Sequence, residues 1–276
     1  MLRTLVALVK SSHPLPGLAV TAITVVLAIG VGLEPWRVAL IGMAMFLGQT
    51  SVGLSNDWLD AARDRAVGRT DKPVAAGLIS AGWARNTALV TAALAIVTTL
   101  PLGAAATFAH GVFVASAWSY NLGLKTTVAS VLPYIVSFGL LPVIVTLALP
   151  QPVLPSVWAV AAGSLLGIAA HIANVLPDLD DDRATGVRGL PHRMGQRVSA
   201  STIAGSLAAA SCCIVLGIGG ARLLDYAGLA VTVAIAIACL ALVFFRPRSR
   251  AVFRLIMLCA LLNVALLAAA GTRMLA

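Results

Sequence analysis

Asn56-Asp57-Trp58-Leu59-Asp60-Ala61-Ala62-Arg63-Asp64-Arg65-Ala66-Val67-Gly68 and Asn174-Val175-Leu176-Pro177-Asp178-Leu179-Asp180-Asp181-Asp182-Arg183-Ala184-Thr185-Gly186 are two runs that repeat one another. Both fit Asn-x3-Asp-x3-Asp-Arg-Ala-x-Gly, and the second follows the first at an offset of 118 residues. Eight of the ten acidic residues fall between positions 56 and 71 or between 174 and 182, so carboxylates are concentrated where the repeat lies. Residues four and eight apart share one face of a helix. Each run therefore reads as a stack of oxygen donors along one face. Two such faces brought together make a hard, oxygen-rich site suited to Mg²⁺ and to the phosphates it carries. Solvated connectors would space their acidic residues irregularly, whereas here six positions match at a single offset.

The surroundings of the two runs are apolar. Hydrophobic residues make up 60% of the chain, charged residues only 11%, and mean hydropathy is +0.98. Globular domains carry roughly 25% charged residues, so the composition excludes a soluble core. The expected fold class is an all-α integral membrane protein of nine transmembrane helices in two pseudo-repeated halves. Residues 1–276 are expected to form a single polytopic domain. A spanning helix needs about 20 mostly apolar residues, and the candidates are 15–33, 38–56, 84–104, 106–121, 129–149, 154–176, 199–219, 223–245 and 251–270. The fourth is short, and Pro101 with Gly103 predicts a tight hairpin joining it to the third. The first is long enough to span and lacks a small-residue cleavage site after a short apolar core, so a span is expected rather than a cleaved signal.

Alternating nine spans puts sixteen of the nineteen Lys and Arg on one side, leaving Arg37, Arg222 and Arg273 on the other. Basic residues accumulate on the cytoplasmic side of membrane proteins, so the chain start and both acidic runs are expected there. Four spans separate the runs; an even number lets them face each other across a shared cavity. The net charge of +9 lies in loops between spans, which fits membrane orientation and not a nucleic-acid footprint. Cys212, Cys213, Cys239 and Cys259 lie in apolar runs without metal-ligand spacing and read as small hydrophobes.

Paired Asp-rich helix ends flanked by cations are what a diphosphate ester requires. Two or three carboxylates hold Mg²⁺, which keeps several waters and bridges to phosphate oxygens. Arg and Lys neutralise the remaining oxygens, Arg often in bidentate fashion. The candidate cations are Arg63, Arg65, Arg69 and Lys72 after the first run, and Arg183, Arg188, Arg193 and Arg197 after the second. Lys125 closes a third segment on the same side, Tyr120-Asn121-Leu122-Gly123-Leu124-Lys125. Together such groups stabilise a departing diphosphate and leave an allylic cation in an apolar cavity.

These residues resemble a known family. Asn56-Asp57-x2-Asp60-x3-Asp64, followed by Arg69-x2-Lys72-Pro73-x3-Gly77-x-Ile79-Ser80, is similar to the first signature of the UbiA superfamily of intramembrane prenyltransferases. Asp178 to Gly186, running on to Gly189-Leu190-Pro191 and Gly195, resembles the second signature, and Tyr120 to Lys125 resembles the Tyr/Lys segment between them. The resemblance covers roughly residues 10–270. It implies a helical barrel with a central cavity, a Mg²⁺-bound isoprenyl diphosphate donor, and transfer of the prenyl group to an acceptor. It maps Asn56, Asp57, Asp60, Asp64, Asp178 and Asp182 onto metal and diphosphate binding. It places Lys125 and Arg69 on the diphosphate and Tyr120 near the ionising carbon; Lys72, Asn174 and Arg183 complete the expected donor contacts. One departure is Val175, where many members carry an acidic residue.

The acceptor is expected to be hydrophobic, such as a quinone precursor or a carotenoid, since no base or carboxylate-binding Arg marks an aromatic-acid pocket. Membrane lipid is the other expected partner, and nucleic acid is not one. Three Lys against sixteen Arg, with abundant Ala, fits a GC-rich bacterial genome and hence a bacterial plasma membrane. His13, His110, His171 and His192 are too scattered for a metal cluster, although His171 lies one turn before Asn174. Trp58 fits either an isoprenoid wall or an interfacial belt. Gly103, Gly139, Gly163 and Gly167 are expected to permit close helix packing. Two other readings share the residues: a terpene cyclase or diphosphate lyase, in which the cation has another fate, and a cation transporter with acidic residues on the ion path.

Overall fold

The computed structural model describes residues 2–176, 179, 186–245 and 250–276. Ten helices account for most of them: α1 (Leu2–Ser11), α2 (Pro14–Gly30), α3 (Pro35–Ala66), α4 (Ala81–Thr99), α5 (Ala104–Leu122), α6 (Leu132–Leu147), α7 (Val157–Val175), α8 (Leu190–Gly217), α9 (Leu223–Phe245) and α10 (Arg250–Ala270). Helices are the form a lipid-embedded chain takes, because they satisfy every backbone N–H and C=O internally.

All nine stretches expected to span are helical, but nine spans do not follow. Seven described helices are long and apolar enough to cross a bilayer, and an eighth counts only if α1 and α2, bent by 60° at the break before Pro14, are one span. α2 alone has 17 residues. α5 has 19, yet His110, Trp118, Tyr120 and Asn121 dilute its apolar character and it falls outside the seven. The Leu100–Leu102 3-10 turn and Gly103, at φ 108°, form the expected hairpin between α4 and α5. Gly103 thus serves a turn and no helix contact, since nothing lies within 4 Å of where its Cβ would stand.

The helices pack as sequence neighbours around a ring. α3 lies against α2 and α4, α5 against α6, α6 against α7, α7 against α8, and α8 against α9 and α10. The ring closes where α10 meets α2, with Ala268 O 2.6 Å from the place a Cβ on Gly30 would occupy. The α6–α7 contact shows how small residues replace the hydrophobic effect inside lipid. Pro142 in α6 has no N–H to offer Phe138 O, four residues back. A Cβ on Gly163 would stand 2.6 Å from that carbonyl, and one on Gly167 would stand 2.3 Å from Tyr134 O. Only glycine lets the two backbones approach so closely.

The main core joins Leu27, Ile41, Met45, Phe113, Ile144 and Ile214 inside the ring. Outward, Leu15, Phe108, Val157, Leu216, Leu223 and Leu224 are each at least 75% exposed. On a soluble protein these would be an aggregation hazard; on helices of this length they are lipid contacts. The chain is an integral membrane protein.

The two acidic runs differ in their settings. The first lies inside α3 from Asn56 to Ala66, with Val67 and Gly68 ending the helix, whereas α7 ends at Val175, one residue after Asn174. No two-fold repeat of helices is established beyond the motifs themselves.

Candidate active site

α3 has 32 residues, which at 1.5 Å per residue is about 48 Å against roughly 30 Å of hydrocarbon. The helix is thus longer than a span requires, and its last third carries Asn56, Asp57, Asp60 and Asp64. A small core of Ala7, Ala61, Val74, Ile79 and Ala84 locks α1, residues 67–80 and the start of α4 against this end. Trp58 packs on that core and is partly buried. Ser80 caps α4 by accepting from Trp83 N at 3.2 Å.

Asn56, Asp60 and Asp64 share one face, as the spacing predicts. Asp60 and Asp64 are 6% and 4% exposed. Asp60 Oδ2 accepts from Arg63 Nη2 at 2.9 Å, and its Oδ1 accepts from Lys125 Nζ. Lys72 Nζ lies 2.9 Å from Asp64 Oδ2, an ion pair off hydrogen-bond geometry, and 3.9 Å from Asp60 Oδ2. Lys72 Nζ also donates to Asn56 Oδ1 at 3.2 Å. Among the described residues, three cations thus converge on two carboxylates and an amide. Lys72 and Lys125 are themselves buried. Burial pulls the Lys125 ammonium below its ordinary pKa, and Asp60 pulls it back up.

Asn121 was not anticipated from the sequence. Its Oδ1 accepts from Asn56 Nδ2 at 3.2 Å, while its Nδ2 donates to Ser55 Oγ at 2.8 Å and Val52 O at 2.9 Å. The signal was present: a polar residue beside Tyr120, in the last turn of α5. Asp57 turns the other way. It is fully buried, and its Oδ2 accepts from Ser11 Oγ and from Val74 N. Its Oδ1 has no hydrogen-bond partner.

Arg69 forks onto Asp71, with Nε to Oδ1 and Nη2 to Oδ2 both at 2.8 Å. That hydrogen-bonded guanidinium holds the Asp71 carboxyl down at about 2. Tyr120 stands edge-on to Tyr134 at 5.4 Å and to His171 at 5.8 Å, forming an aromatic cluster. Asn174 is exposed on the last turn of α7 and Val175 is buried. Asp178, Asp180, Asp181, Asp182 and Arg183 lie outside the described residues. Among those described, no group of three His, Cys, Asp or Glu is gathered for a metal.

Residues 17–264 match the model of the UbiA prenyltransferase family. The chain belongs to that family. A member's helical ring with the Asp-rich end of α3 inside a cation cluster is therefore the frame for its chemistry. The bacteriochlorophyll synthase 33 kDa chain of Cereibacter sphaeroides is 29% identical over 186 residues, covering 60% of this chain; the chain spans 58% of that relative's length. Solved structures share the fold at low identity. A UbiA homolog from Archaeoglobus fulgidus bound to DMAPP and Mg²⁺ superposes with TM-score 0.74 at 14% identity, over 95% of this chain and 98% of that one. The same homolog bound to GPP and Mg²⁺ gives 0.72 at 14%, over 96% and 99%. The apo UbiA homolog from Aeropyrum pernix K1 gives 0.71 at 20%, over 93% and 97%.

Proposed function

We propose that the chain transfers an isoprenyl group from a polyprenyl or shorter isoprenyl diphosphate to a hydrophobic acceptor such as a quinone precursor or a carotenoid, with Mg²⁺ as cofactor. The observation that carries this reading is the cluster of Asp60 and Asp64 on one face of α3, wrapped by Arg63, Lys72 and Lys125. A buried site with more cations than carboxylates suits an anionic ligand. Family membership and the A. fulgidus homolog's bound DMAPP, GPP and Mg²⁺ support it.

The residues fit the metal. The donor set on this face is all oxygen, from Asn56, Asp60 and Asp64, and one or two carboxylates with substrate phosphates is how Mg²⁺ is commonly held. Asp57, turned toward Ser11 and Val74, stands outside this donor set. In this reading Asp178 and Asp182 supply carboxylates from the second motif, with Asn174 and Arg183 beside them. Bound there, Mg²⁺ supplies charge neutralisation for the leaving diphosphate.

Lys72, Lys125 and Arg69 then take the diphosphate oxygens that carboxylates repel. The bond between the allylic carbon and the diphosphate oxygen breaks, and its electron pair leaves on the diphosphate. Tyr120 and Tyr134 present aromatic faces to the allylic cation. An electron-rich carbon of the acceptor attacks it, a carbon–carbon bond forms, and the acceptor loses a proton. The apolar ring keeps water from the cation.

Nine spans, with α1–α2 as one and α5 as another, belong to the same proposal. They put the Asp-rich ends on the cytoplasmic side of a bacterial plasma membrane, as the sixteen-to-three division of basic residues favours. Purified protein given radiolabelled farnesyl or geranylgeranyl diphosphate and a membrane lipid extract tests the transfer. Label moving into an extract lipid is expected. Label released without extract as a cyclised or eliminated hydrocarbon, or as the free isoprenyl alcohol, would instead favour the cyclase or lyase outcome.

A further inference from the structure

Residues 172–189 carry the second Asp motif, and the chain enters and leaves that stretch at one side chain. At the entry, His171 Nε2 lies 3.1 Å from Ser130 Oγ. At the exit, Leu190 N donates to the same oxygen at 3.0 Å. A serine hydroxyl has one proton and two lone pairs. Ser130 Oγ thus accepts from Leu190 N and shares a second hydrogen bond with His171 Nε2. Both Ser130 and His171 are fully buried.

A third contact fixes the exit more tightly. A Cβ on Gly189 would stand 2.6 Å from Lys125 O and 3.0 Å from Ser130 Oγ. The exit therefore lies hard against the segment that carries Lys125, whose ammonium bonds Asp60 of the first motif. Direct contacts thus run from Asp60 through residues 125–130 to both ends of the stretch bearing Asp178 and Asp182.

We infer that Ser130 is a positioning residue: its hydroxyl ties His171 in α7 to Leu190 at the start of α8, the two described flanks of the second Asp motif, against the segment that carries Lys125. The inference rests on the Mg²⁺–diphosphate reading of the site. Packing alone would require a small side chain at 130; the two hydrogen bonds, to Leu190 N and His171 Nε2, require a hydroxyl. Partners that orient metal-binding groups from behind typically cost about 10–100-fold in metal affinity or activity when removed.

The test is thermal stabilisation of the purified full chain by inorganic diphosphate with Mg²⁺ titrated. Ser130→Ala is expected to raise the Mg²⁺ concentration for half of the wild-type stabilisation by about 10-fold, and Ser130→Thr to restore it. Gly189→Ala reaches the same contact from the other partner and is expected to shift the half-point in the same direction, so the inference stays testable if one variant misfolds. Unchanged half-points would overturn it, including where only the ligand-free midpoint falls, which is the mark of plain packing. Absence of any stabilisation of the wild type would overturn it as well. Stabilisation with the predicted shift, but no diphosphate released from isoprenyl donors, would leave the inference standing and sink the transfer reading.

Discussion

Asp57 and Asp60 stand three residues apart on one helix and hold different parts of the molecule. Asp57 accepts from Ser11 and Val74, tying α1 and the loop after α3 to the helix, while Asp60 accepts from Arg63 and Lys125 at the cation cluster. Asp57→Ala removes a fully buried acceptor of two hydrogen bonds. A loss of about 1–3 kcal/mol is expected for stranding buried donors. The thermal midpoint in detergent reads it, and a fall no larger than that of Asp60→Asn would contradict the division.

Lys125→Met removes the ammonium on Asp60 Oδ1 but leaves Arg63 on Oδ2 at 2.9 Å. The fold is expected to survive. Activity on an isoprenyl diphosphate is expected to fall about 10²–10³-fold, the cost of losing one preorganised donor to developing charge. Turnover within a few-fold of wild type would remove Lys125 from the leaving-group cluster.

Arg69 is held in a fork by Asp71. Because the Asp71 carboxyl is held down at about 2, below its ordinary value of 3.8, any stability it contributes is present in full above the unfolded carboxyl's value and is lost as pH falls through the folded one. Exposed pairs contribute roughly 0.2–1 kcal/mol. Asp71→Asn is therefore expected to leave the thermal midpoint nearly unchanged and to lower the KM for the donor by up to about fivefold, because it removes one negative charge that competes with the diphosphate for Arg69. A KM that rises would mean that Asp71 aims Arg69 at its ligand.

A leucine at Gly167 must put a Cβ 2.3 Å from Tyr134 O, a backbone atom that cannot swing away. Gly167→Leu is expected to cost more than the roughly 1–3 kcal/mol typical of overpacking and to disturb the cluster formed by Tyr134 and Tyr120. Circular dichroism melts of the two proteins, side by side, check this; equal midpoints would refute the α6–α7 contact.

What the sequence made legible was whatever repeats or punctuates locally. The spacing of Asn56, Asp60 and Asp64 puts three polar groups on one face by helical geometry alone, and Pro101 with Gly103 marks the α4–α5 hairpin. Contacts made by single side chains across long separations left no pattern to read. Ser11 meets Asp57 across 46 positions and Ser130 meets His171 across 41. Asn121 and Trp58 were visible as residues, but their partners depend on how α3, α4 and α5 lean together. The count of spans was least legible at α5, where polar residues that serve the interior dilute the signal that length and hydropathy carry.

The central claim is that the α3 carboxylates and their cations drive diphosphate departure. Its most direct test is Mg²⁺-dependent diphosphate release from farnesyl, geranylgeranyl and longer diphosphates by the purified protein, beside Asp60→Asn. Release that requires Mg²⁺ and drops at least ~100-fold in Asp60→Asn is the predicted result, since that variant removes a carboxylate from the ionisation site. Release that proceeds equally well in Asp60→Asn, or none from any donor with wild-type protein, would contradict it.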